Sequence, residues 1–266
     1  MFDLPALDAA LADTIFAGKL HFSPVTDSTN TDALAAARSA APHGSAYFAD
    51  EQLAGRGRGD RAWHSAAGEG LYVSVLLRPQ IPAVRLPLLP LAAGLAAADA
   101  IRVVAGLAAG LIVDLRWPND LLIGPRKTGG ILVEAKTSGG SVDYAVVGVG
   151  INVHQRGFDS GLATPATSLD LEAGRRIDRQ DLLVSLLKSL ERETRALLDP
   201  ATGKTIPLRV EQASTWVRGR RVEVRGPQAC TGVTAGLDEH GFLLVRTAAG
   251  LVTVQTGGIR TDEMDE

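Results

Sequence analysis

The chain has 266 residues, of which 45% are hydrophobic and 21% are charged, which is the composition of an ordinary soluble globular protein. Its formal net charge is −3, so the chain as a whole is not built to coat nucleic acid. The length predicts either one large domain or a medium domain followed by a small one.

The cysteine and histidine content argues against a protein stabilised by internal disulfides and against a zinc-binding protein. Cys230 is the sole cysteine, so no disulfide can form within the chain, and no Cys/His cluster has the spacing of zinc ligands. This suits a reducing cytosol, and the N-terminus lacks the pattern of a signal peptide, so we expect a cytoplasmic protein. Residues 86–113 are apolar enough to suggest a membrane span, but prolines and charges interrupt them. A buried helix and no membrane contact are therefore predicted.

Periodicity and turn residues predict a mixture of helices and strands up to about residue 217. Helices are predicted over 3–13, 33–41, 88–104, 178–198 and 208–215, the second after the N-cap residues 27–30. Strands are predicted over 46–49, 71–77, 111–116, 120–123, 130–136 and 144–153.

The pattern changes after Trp216. Short strands separated by turns are predicted over 219–226, 230–237, 242–247 and 251–256. The predicted fold class is therefore α+β, with a mixed sheet flanked by helices in residues 1–217 and a small β-barrel in residues 218–266.

A loop at residues 55–61 reads Gly-Arg-Gly-Arg-Gly-Asp-Arg. Its glycines free the backbone, and its three guanidiniums can converge on one polyanion. Alone, this loop is compatible with a solvated linker, with an Arg-Gly tract that binds nucleic acid, or with a flap that closes over phosphates.

Four polar segments beside predicted strands carry the other candidate chemistry, and each has a structural alternative. Residues 27–30 could be a plain helix cap or could receive a polar small molecule. Trp63, after the loop, could anchor the loop in the core or stack on a planar ligand. Residues 116–134 begin with an arginine and a Trp-Pro-Asn-Asp turn and continue to a lysine before two glycines, an arrangement that can place an ammonium beside phosphate oxygens. Residues 148–153 contain Gly-x-Gly but lack the strand-to-helix context of a dinucleotide fingerprint.

Taken together and in this order, these segments resemble the biotin–protein ligases. That family is marked by five segments: DSTN, Gly-Arg-Gly-Arg, Trp-Pro-Asn-Asp, Lys-x-Gly/Ala-Gly-Ile-Leu-x-Glu and Gly-x-Gly-Ile-Asn. All five occur here between residues 27 and 152. The resemblance implies a class II synthetase-like catalytic domain of the biotin–lipoate ligase type, followed by an SH3-like barrel.

The resemblance also implies an activity. The family forms biotinyl-5′-AMP from biotin and ATP with release of pyrophosphate, and then transfers biotin to one lysine of the biotin carboxyl carrier domain of an acyl-CoA carboxylase. Mg²⁺ is the implied cofactor. Cationic side chains and Mg²⁺ would offset the repulsion between carboxylate and triphosphate, so no protein nucleophile is required. Because an acyl-adenylate is labile in water, residues 54–66, called the flap below, are predicted to be mobile without ligand and to close over it.

Individual roles follow from the same resemblance. The residues expected to contact biotin are Ser28, Thr29, Asn30, Gln52, Gly55, Arg56, Arg58, Lys127 and Gly130. The residues expected to contact ATP or the adenylate are Arg56, Arg58, Arg61, Trp63, Asn119, Lys127, Ile151 and Asn152. The expected catalytic residues are Lys127, Arg58 and Asp120, and Asp120 is also a candidate Mg²⁺ ligand or an aid to the incoming lysine.

Two features bear on how this chain differs from relatives. Arg116 stands where the family usually has lysine, and it keeps the charge. The 26 residues before Asp27 are too few for the helix-turn-helix domain that some members carry. The expectation is a monomeric ligase that does not contact DNA.

Other functions remain open at this point. A lipoate–protein ligase or octanoyl transferase shares the catalytic fold, although those relatives lack the Gly-Arg-Gly-Arg flap. A nucleic-acid-binding module would use the Arg-Gly loop and show steep salt dependence. A pseudo-enzyme would bind biotin without chemistry, but the intact Lys127 and Asp120 argue against it.

Overall fold

The computed structural model describes residues 2–59, 61–106 and 112–261. Within these ranges, seven strands form a mixed sheet: β1 (Leu20–Thr26), β2 (Ser45–Gln52), β3 (Gly70–Leu77), β4 (Val113–Arg116), β5 (Asp120–Ile123), β6 (Arg126–Ser138) and β7 (Ser141–Asn152). The helices are α1 (Leu4–Ala10), α2 (Thr29–Arg38), α3 (Leu88–Ala105), α4 (Leu169–Ala173), α5 (Arg179–Leu198), α6 (Pro200–Gly203) and α7 (Ile206–Gln212). A 3₁₀ turn, Ala83–Arg85, precedes α3.

The large sheet has the strand order β1-β2-β3-β7-β6-β5-β4. Strands β1 and β2 are parallel, and the other neighbours are antiparallel. Strand β3 lies near the middle and is buried along its whole length, because both faces of the sheet are covered. Alternate residues Leu71, Val73 and Val75 enter the main core, whereas Leu76 packs in a small cluster with Ala33 of α2. The α2 face of β3 and β7 carries the candidate site.

Helix α3 accounts for the most apolar part of the sequence. The segment Ala83–Ala105 is long and apolar enough to cross a membrane, yet 67% of its most apolar window is buried inside the fold. Its leucines and alanines belong to the main core, and the helix packs on α5 and the sheet. The prediction of a buried helix is confirmed. The chain leaves the helix at Gly106 in the left-handed conformation, which glycine adopts without strain.

Most predicted elements are present, with small shifts at their ends. Helix α5 begins after the predicted cap, Asp178, whose carboxylate accepts the backbone N–H groups of the first turn. Strand β1 was not predicted, since it contains Pro24 and a half-exposed pattern, and it lies at the sheet edge where proline is tolerated. Helices α4 and α6 were also not predicted, because each is shorter than two turns. Residue 111 of the predicted strand 111–116 lies outside the described residues.

The C-terminal strands form a separate antiparallel sheet. They are β8 (Arg218–Arg225), β9 (Cys230–Leu237), β10 (Leu243–Thr247), β11 (Gly250–Val254) and β12 (Gly258–Thr261), in the order β11-β10-β9-β8-β12. The predicted fold class is confirmed, but the closed barrel is not: among the described residues, no backbone pairing joins the edge strands β11 and β12. The short strand β12 was missed, and it pairs with β8 after a turn at Gly257.

The C-terminal sheet contacts the large sheet directly. Trp117 Nε1, which follows β4, donates to the carbonyl oxygen of Gly241 between β9 and β10 at 3.1 Å. In the segment that leads into β8, Ser214 Oγ donates to the carbonyl oxygen of Leu115 at 2.5 Å. Apolar residues of both sheets join one continuous core cluster. The domain boundary after residue 217 stays a prediction.

Candidate active site

A network of neutral hydrogen-bonding groups lies where α2 meets β3. Thr29 Oγ1 and Ser74 Oγ are 2.7 Å apart, and Ser74 Oγ donates to Asn30 Oδ1 at 2.6 Å. The backbone N–H of Thr29 donates to Gln52 Oε1 at 2.9 Å. Thr29, Asn30 and Ser74 are buried, so polar groups that would be costly without partners are held in fixed orientations. Such a network suits an uncharged ligand with its own donors and acceptors.

Two glycines of β7 allow side chains to lie directly on the sheet. A Cβ at Gly148 would overlap the Asn30 side chain. A Cβ at Gly150 would lie 2.7 Å from Trp63 Nε1. Both positions therefore require glycine for packing rather than for backbone conformation.

The described part of the flap is a short hairpin. The backbone N–H of Gly57 donates to Arg61 O at 2.6 Å, and that of Trp63 donates to Gly55 O at 2.8 Å. The Trp63 ring lies over the two glycine positions Gly130 and Gly150, and Lys127 Nζ is 5.3 Å from its centroid. Trp63 Nε1 is buried without a hydrogen-bond partner among the described residues. The tryptophan thus lies on the ligand face of the sheet and does not enter the main core.

Two of the three flap arginines, Arg56 and Arg58, have different partners. Arg56 forms a two-bond ion pair with Glu134 of β6, with Nη1···Oε1 of 3.1 Å and Nη2···Oε2 of 2.6 Å. Arg58 Nη1 donates to Asn119 Oδ1 at 3.3 Å and to Gly257 O at 3.0 Å. Burial lowers the pKa of Arg58, and the nearby Arg61 lowers it further. Arg58 thus connects the flap to both sheets.

A charged triad lies on the phosphate side of the predicted site. Asp120 Oδ1 accepts Lys127 Nζ at 2.5 Å, and Asp120 Oδ2 accepts Arg116 Nη2 at 2.7 Å. Burial by itself would raise the pKa of Asp120, but Lys127 and Arg116 hold it below the usual value for aspartate. Arg116 also donates to Thr164 Oγ1, so it is fixed in place. Asp120 is therefore an ionised counter-charge that orients two cations.

This geometry tests the predicted Mg²⁺ role of Asp120. Both carboxylate oxygens are already taken by cationic side chains, and no group of three His, Cys, Asp or Glu residues among the described residues could hold a metal ion. Asp120 is thus paired with two cations in this arrangement, and its role as a Mg²⁺ ligand stays a prediction.

Four more of the predicted residues lie in or beside this region. Gly55 lies in the crowded base of the flap, beside the Ser65 hydroxyl, and Arg61 Nε donates to Arg58 O. Ser28 is the buried N-cap of α2, although no capping bond from its hydroxyl is present within the described ranges. Asn152 Nδ2 donates to Thr167 O at 3.0 Å.

Ile151 differs from its neighbours on β7. Its side chain belongs to the main core, on the face opposite Gly150 and Asn152. A contact between Ile151 and a nucleotide would thus involve its backbone, and its role stays a prediction.

Three residues of this region were not predicted from the sequence. Ser74 is the polar exception inside an otherwise apolar strand, and that exception was an available signal. Ser65 accepts Gln52 Nε2 at 2.8 Å and donates to Trp63 O at 3.1 Å. Glu134 was visible only as the last letter of a motif, and nothing local indicated its partner Arg56.

Comparisons with known proteins place this site in a family. The profile of the "Biotin/lipoate A/B protein ligase family" matches residues 22–152, and that of the "Biotin protein ligase C terminal domain" matches residues 218–259. A "Bifunctional ligase/repressor BirA" of Bacillus subtilis is 36% identical over 247 residues, which cover 90% of this chain and 73% of the relative. A "Biotin--[acetyl-CoA-carboxylase] ligase" of Paracoccus denitrificans is 37% identical over 232 residues, which cover 85% and 93%.

A solved structure agrees with these sequence matches. The biotin protein ligase from Aquifex aeolicus in complex with biotin and ATP superposes with a TM-score of 0.76 at 30% identity, covering 91% of this chain and 98% of that one. The chain belongs to the biotin/lipoate A/B protein ligase family, and within it to the biotin protein ligases.

Proposed function

We propose that the chain activates biotin with ATP to biotinyl-5′-AMP and then transfers the biotinyl group to a lysine of a biotin carboxyl carrier domain. The observation that carries the proposal is that one site has a neutral half and a cationic half. A buried neutral network around Thr29 and Ser74 lies on the same face of the sheet as a cationic cluster around Lys127, with Trp63 over the glycines between them.

The neutral network suits the ureido ring of biotin. That ring is uncharged and offers both N–H donors and a carbonyl acceptor, which Thr29, Asn30, Gln52 and Ser74 can match. A charged residue in this position would be costly to bury against a neutral ring. Ser28 precedes Thr29 at the start of α2, and Gly55 lies beside Ser65 and Gln52, so both are proposed to complete the biotin-head pocket.

The cationic cluster suits the first reaction. A biotin carboxylate oxygen attacks the α-phosphorus, a new P–O bond forms, and the bond to pyrophosphate breaks with the electron pair leaving on oxygen. Lys127, Arg56 and Arg58 are proposed to neutralise the charges that meet there, and Asn119 and Asn152 to border the nucleotide. Gly130 lets the ligand approach the backbone of β6, and Arg61 and Trp63 are proposed to cover the adenylate from the flap.

In the second reaction, the carrier lysine attacks the acyl carbon, and AMP leaves from the carbonyl group. Asp120 is a poor general base for that amine, because two cations hold its pKa low and occupy both of its oxygens. We therefore assign Asp120 to the orientation of Lys127 and Arg116.

Mg²⁺ is proposed to arrive as the Mg-ATP complex. Magnesium in nucleotide sites is commonly held by the phosphates with few protein ligands, which is consistent with the occupied oxygens of Asp120.

The proposal includes partners that remain to be tested. The Paracoccus relative is named for acetyl-CoA carboxylase, so a carrier domain of an acyl-CoA carboxylase is the proposed partner. The Bacillus relative is named as a repressor as well as a ligase, so the absence of DNA binding stays a prediction, which a mobility-shift assay with genomic fragments tests. A monomeric, cytoplasmic protein divided after residue 217 is likewise proposed.

One assay tests the activity. The purified chain is incubated with biotin, Mg-ATP and an apo carboxyl carrier domain, and labelling is read by streptavidin blot, with a parallel reaction in which lipoate replaces biotin. Labelling with biotin alone is the expected result. Labelling with lipoate and not with biotin would instead establish a lipoate ligase.

A further inference from the structure

Glu134 joins the neutral network to the flap, although the reaction above gives it no task. Its two carboxylate oxygens receive both terminal nitrogens of Arg56, and Oε2 also accepts Asn30 Nδ2 at 2.9 Å. The Glu134 side chain is 29% exposed, so it lies at the edge of the site and not on the open surface. One carboxylate therefore contacts a residue of the predicted biotin pocket and a residue of the flap at once.

The hydrogen bonds on either side of Glu134 connect the two strands of the flap. From Glu134 they run through Asn30, Ser74 and Thr29 to Gln52. From Gln52 they continue through the Ser65 hydroxyl to the carbonyl oxygen of Trp63. The chain of bonds thus begins at Arg56 on one side of the hairpin and returns at Trp63 on the other.

The charge of Glu134 determines which group donates and which accepts along this series of hydrogen bonds. An ionised carboxylate only accepts, so the Asn30 amide must turn its NH₂ group to Glu134 and its oxygen to Ser74. Ser74 then uses its one proton to donate to Asn30, so in the 2.7 Å contact the Thr29 hydroxyl is left as the donor to Ser74, with Gln52 Oε1 at 3.2 Å as its second acceptor. Removing the negative charge would leave the Asn30 amide and both hydroxyls free to reverse.

The same charge leaves Arg56 available for substrate. A guanidinium has five N–H donors, and the pair with Glu134 uses two of them in a planar fork. The other donors point away from that edge. Glu134 can therefore orient Arg56 without occupying it.

We propose that Glu134 is a positioning residue that couples occupation of the biotin-head pocket to closure of the flap by holding Asn30 and Arg56 together. The inference rests on the proposed function, because it assumes that biotin occupies the neutral network. A ligand that engages Thr29 and Asn30 stabilises one orientation of the network, and Glu134 passes that preference to Arg56.

The test is Glu134→Gln, which keeps size and removes the charge. The biotin KM for adenylate formation is expected to rise roughly 10- to 100-fold with little change in the ATP KM. Trypsin cuts after arginine, so the flap reports its own exposure: saturating biotin should protect Arg56, Arg58 and Arg61 in the natural chain and should fail to protect them in the variant. Cleavage sites are read by mass spectrometry.

The matched control is Asp143→Asn. Asp143 is a carboxylate of similar exposure at the far end of the β6–β7 hairpin, where it contacts Lys136 and Ser138. Its biotin KM and flap protection should stay unchanged. In the double variant Glu134→Gln/Arg56→Ala, the flap should be no more exposed to trypsin at Arg58 and Arg61 than in Arg56→Ala alone, because Glu134 contacts the flap through Arg56.

Each outcome decides the inference. A normal biotin KM with full protection in Glu134→Gln overturns it, while biotinylation by the natural chain leaves the proposed function standing. No adenylate from the natural chain overturns the proposed function itself. If Glu134→Gln unfolds at a lower temperature than the natural chain, Arg56→Lys takes its place, since lysine keeps the charge but cannot form the fork. Retained protection in Arg56→Lys would then overturn the inference.

Discussion

The neutral and the charged halves of the site are built in opposite ways. Thr29, Asn30 and Ser74 are buried and bonded to one another, so the neutral half has its shape before any ligand arrives. Arg56 and Lys127 are 40% and 26% exposed, and each is paired with a carboxylate. A preorganised neutral half provides selective binding, whereas partly exposed cations keep N–H donors available for phosphates. Substitutions in the charged half should therefore lower the rate of adenylation, whereas substitutions in the neutral half should lower stability and biotin binding.

The largest effect is expected from Lys127→Ala in the charged half. Loss of one electrostatic stabiliser of this kind lowers the rate of adenylate formation by about 10²–10³-fold. The fold should persist, since Asp120 keeps its pair with Arg116. Pyrophosphate release measures the rate, and circular dichroism checks the fold. Lys136→Ala, an exposed lysine on the same strand, is the control. Near-normal adenylation by Lys127→Ala would contradict the assignment.

Two glycine substitutions separate the halves on a single strand. Gly148→Ala pushes against Asn30, so it should lower the stability by about 1–3 kcal/mol and abolish biotin binding. Gly150→Ala pushes against Trp63, which belongs to the flap and can lift, so it should slow adenylation while the melting temperature stays near that of the natural chain. Calorimetry measures the melting temperatures and the binding of biotin, and pyrophosphate release measures adenylation. Gly157→Ala, where an added methyl meets no atom within 4 Å, is the control. Equal melting temperatures for Gly148→Ala and Gly150→Ala would contradict the proposed difference between the rigid neutral half and the movable flap.

A smaller change tests the neutral half alone. Ser74→Ala leaves the Thr29 hydroxyl and Asn30 Oδ1 without their shared partner, which should cost about 1–3 kcal/mol of stability and weaken biotin binding. The ATP KM should not change. Urea unfolding and isothermal titration with biotin provide the two numbers. Ser138→Ala, at an exposed position, should be neutral in both. An unchanged biotin affinity in Ser74→Ala would place the biotin head elsewhere.

The smallest effect concerns pH. The pKa of Asp120 is lower in the folded protein than its ordinary value of about 3.9, so its contribution to stability is complete above that value. The contribution is lost as the pH falls through the lower, folded pKa. Urea unfolding of the natural chain and of Asp120→Asn should therefore differ at pH 6 and converge toward pH 3. A constant difference across this range would mean that the ion pairs of Asp120 do not stabilise the fold.

Much of this molecule follows from local sequence. The continuous apolar run at residues 71–77 predicted a strand, the long apolar run of α3 predicted a buried helix, and apolar residues at helical spacing after Asp178 predicted α5. The five family segments likewise indicated the correct family before any geometry was available.

Contacts between distant parts of the chain were decided by the tertiary structure. Arg56 and Glu134 are 78 positions apart, and Ser74 meets Asn30 across 44, so both contacts depend on the order in which the strands assemble. The open edges of the C-terminal sheet and the inward-facing side chain of Ile151 have the same origin. Local periodicity determines which residues are buried, but strand order and register determine which buried polar groups meet, because each pair forms only when two separate segments are brought together.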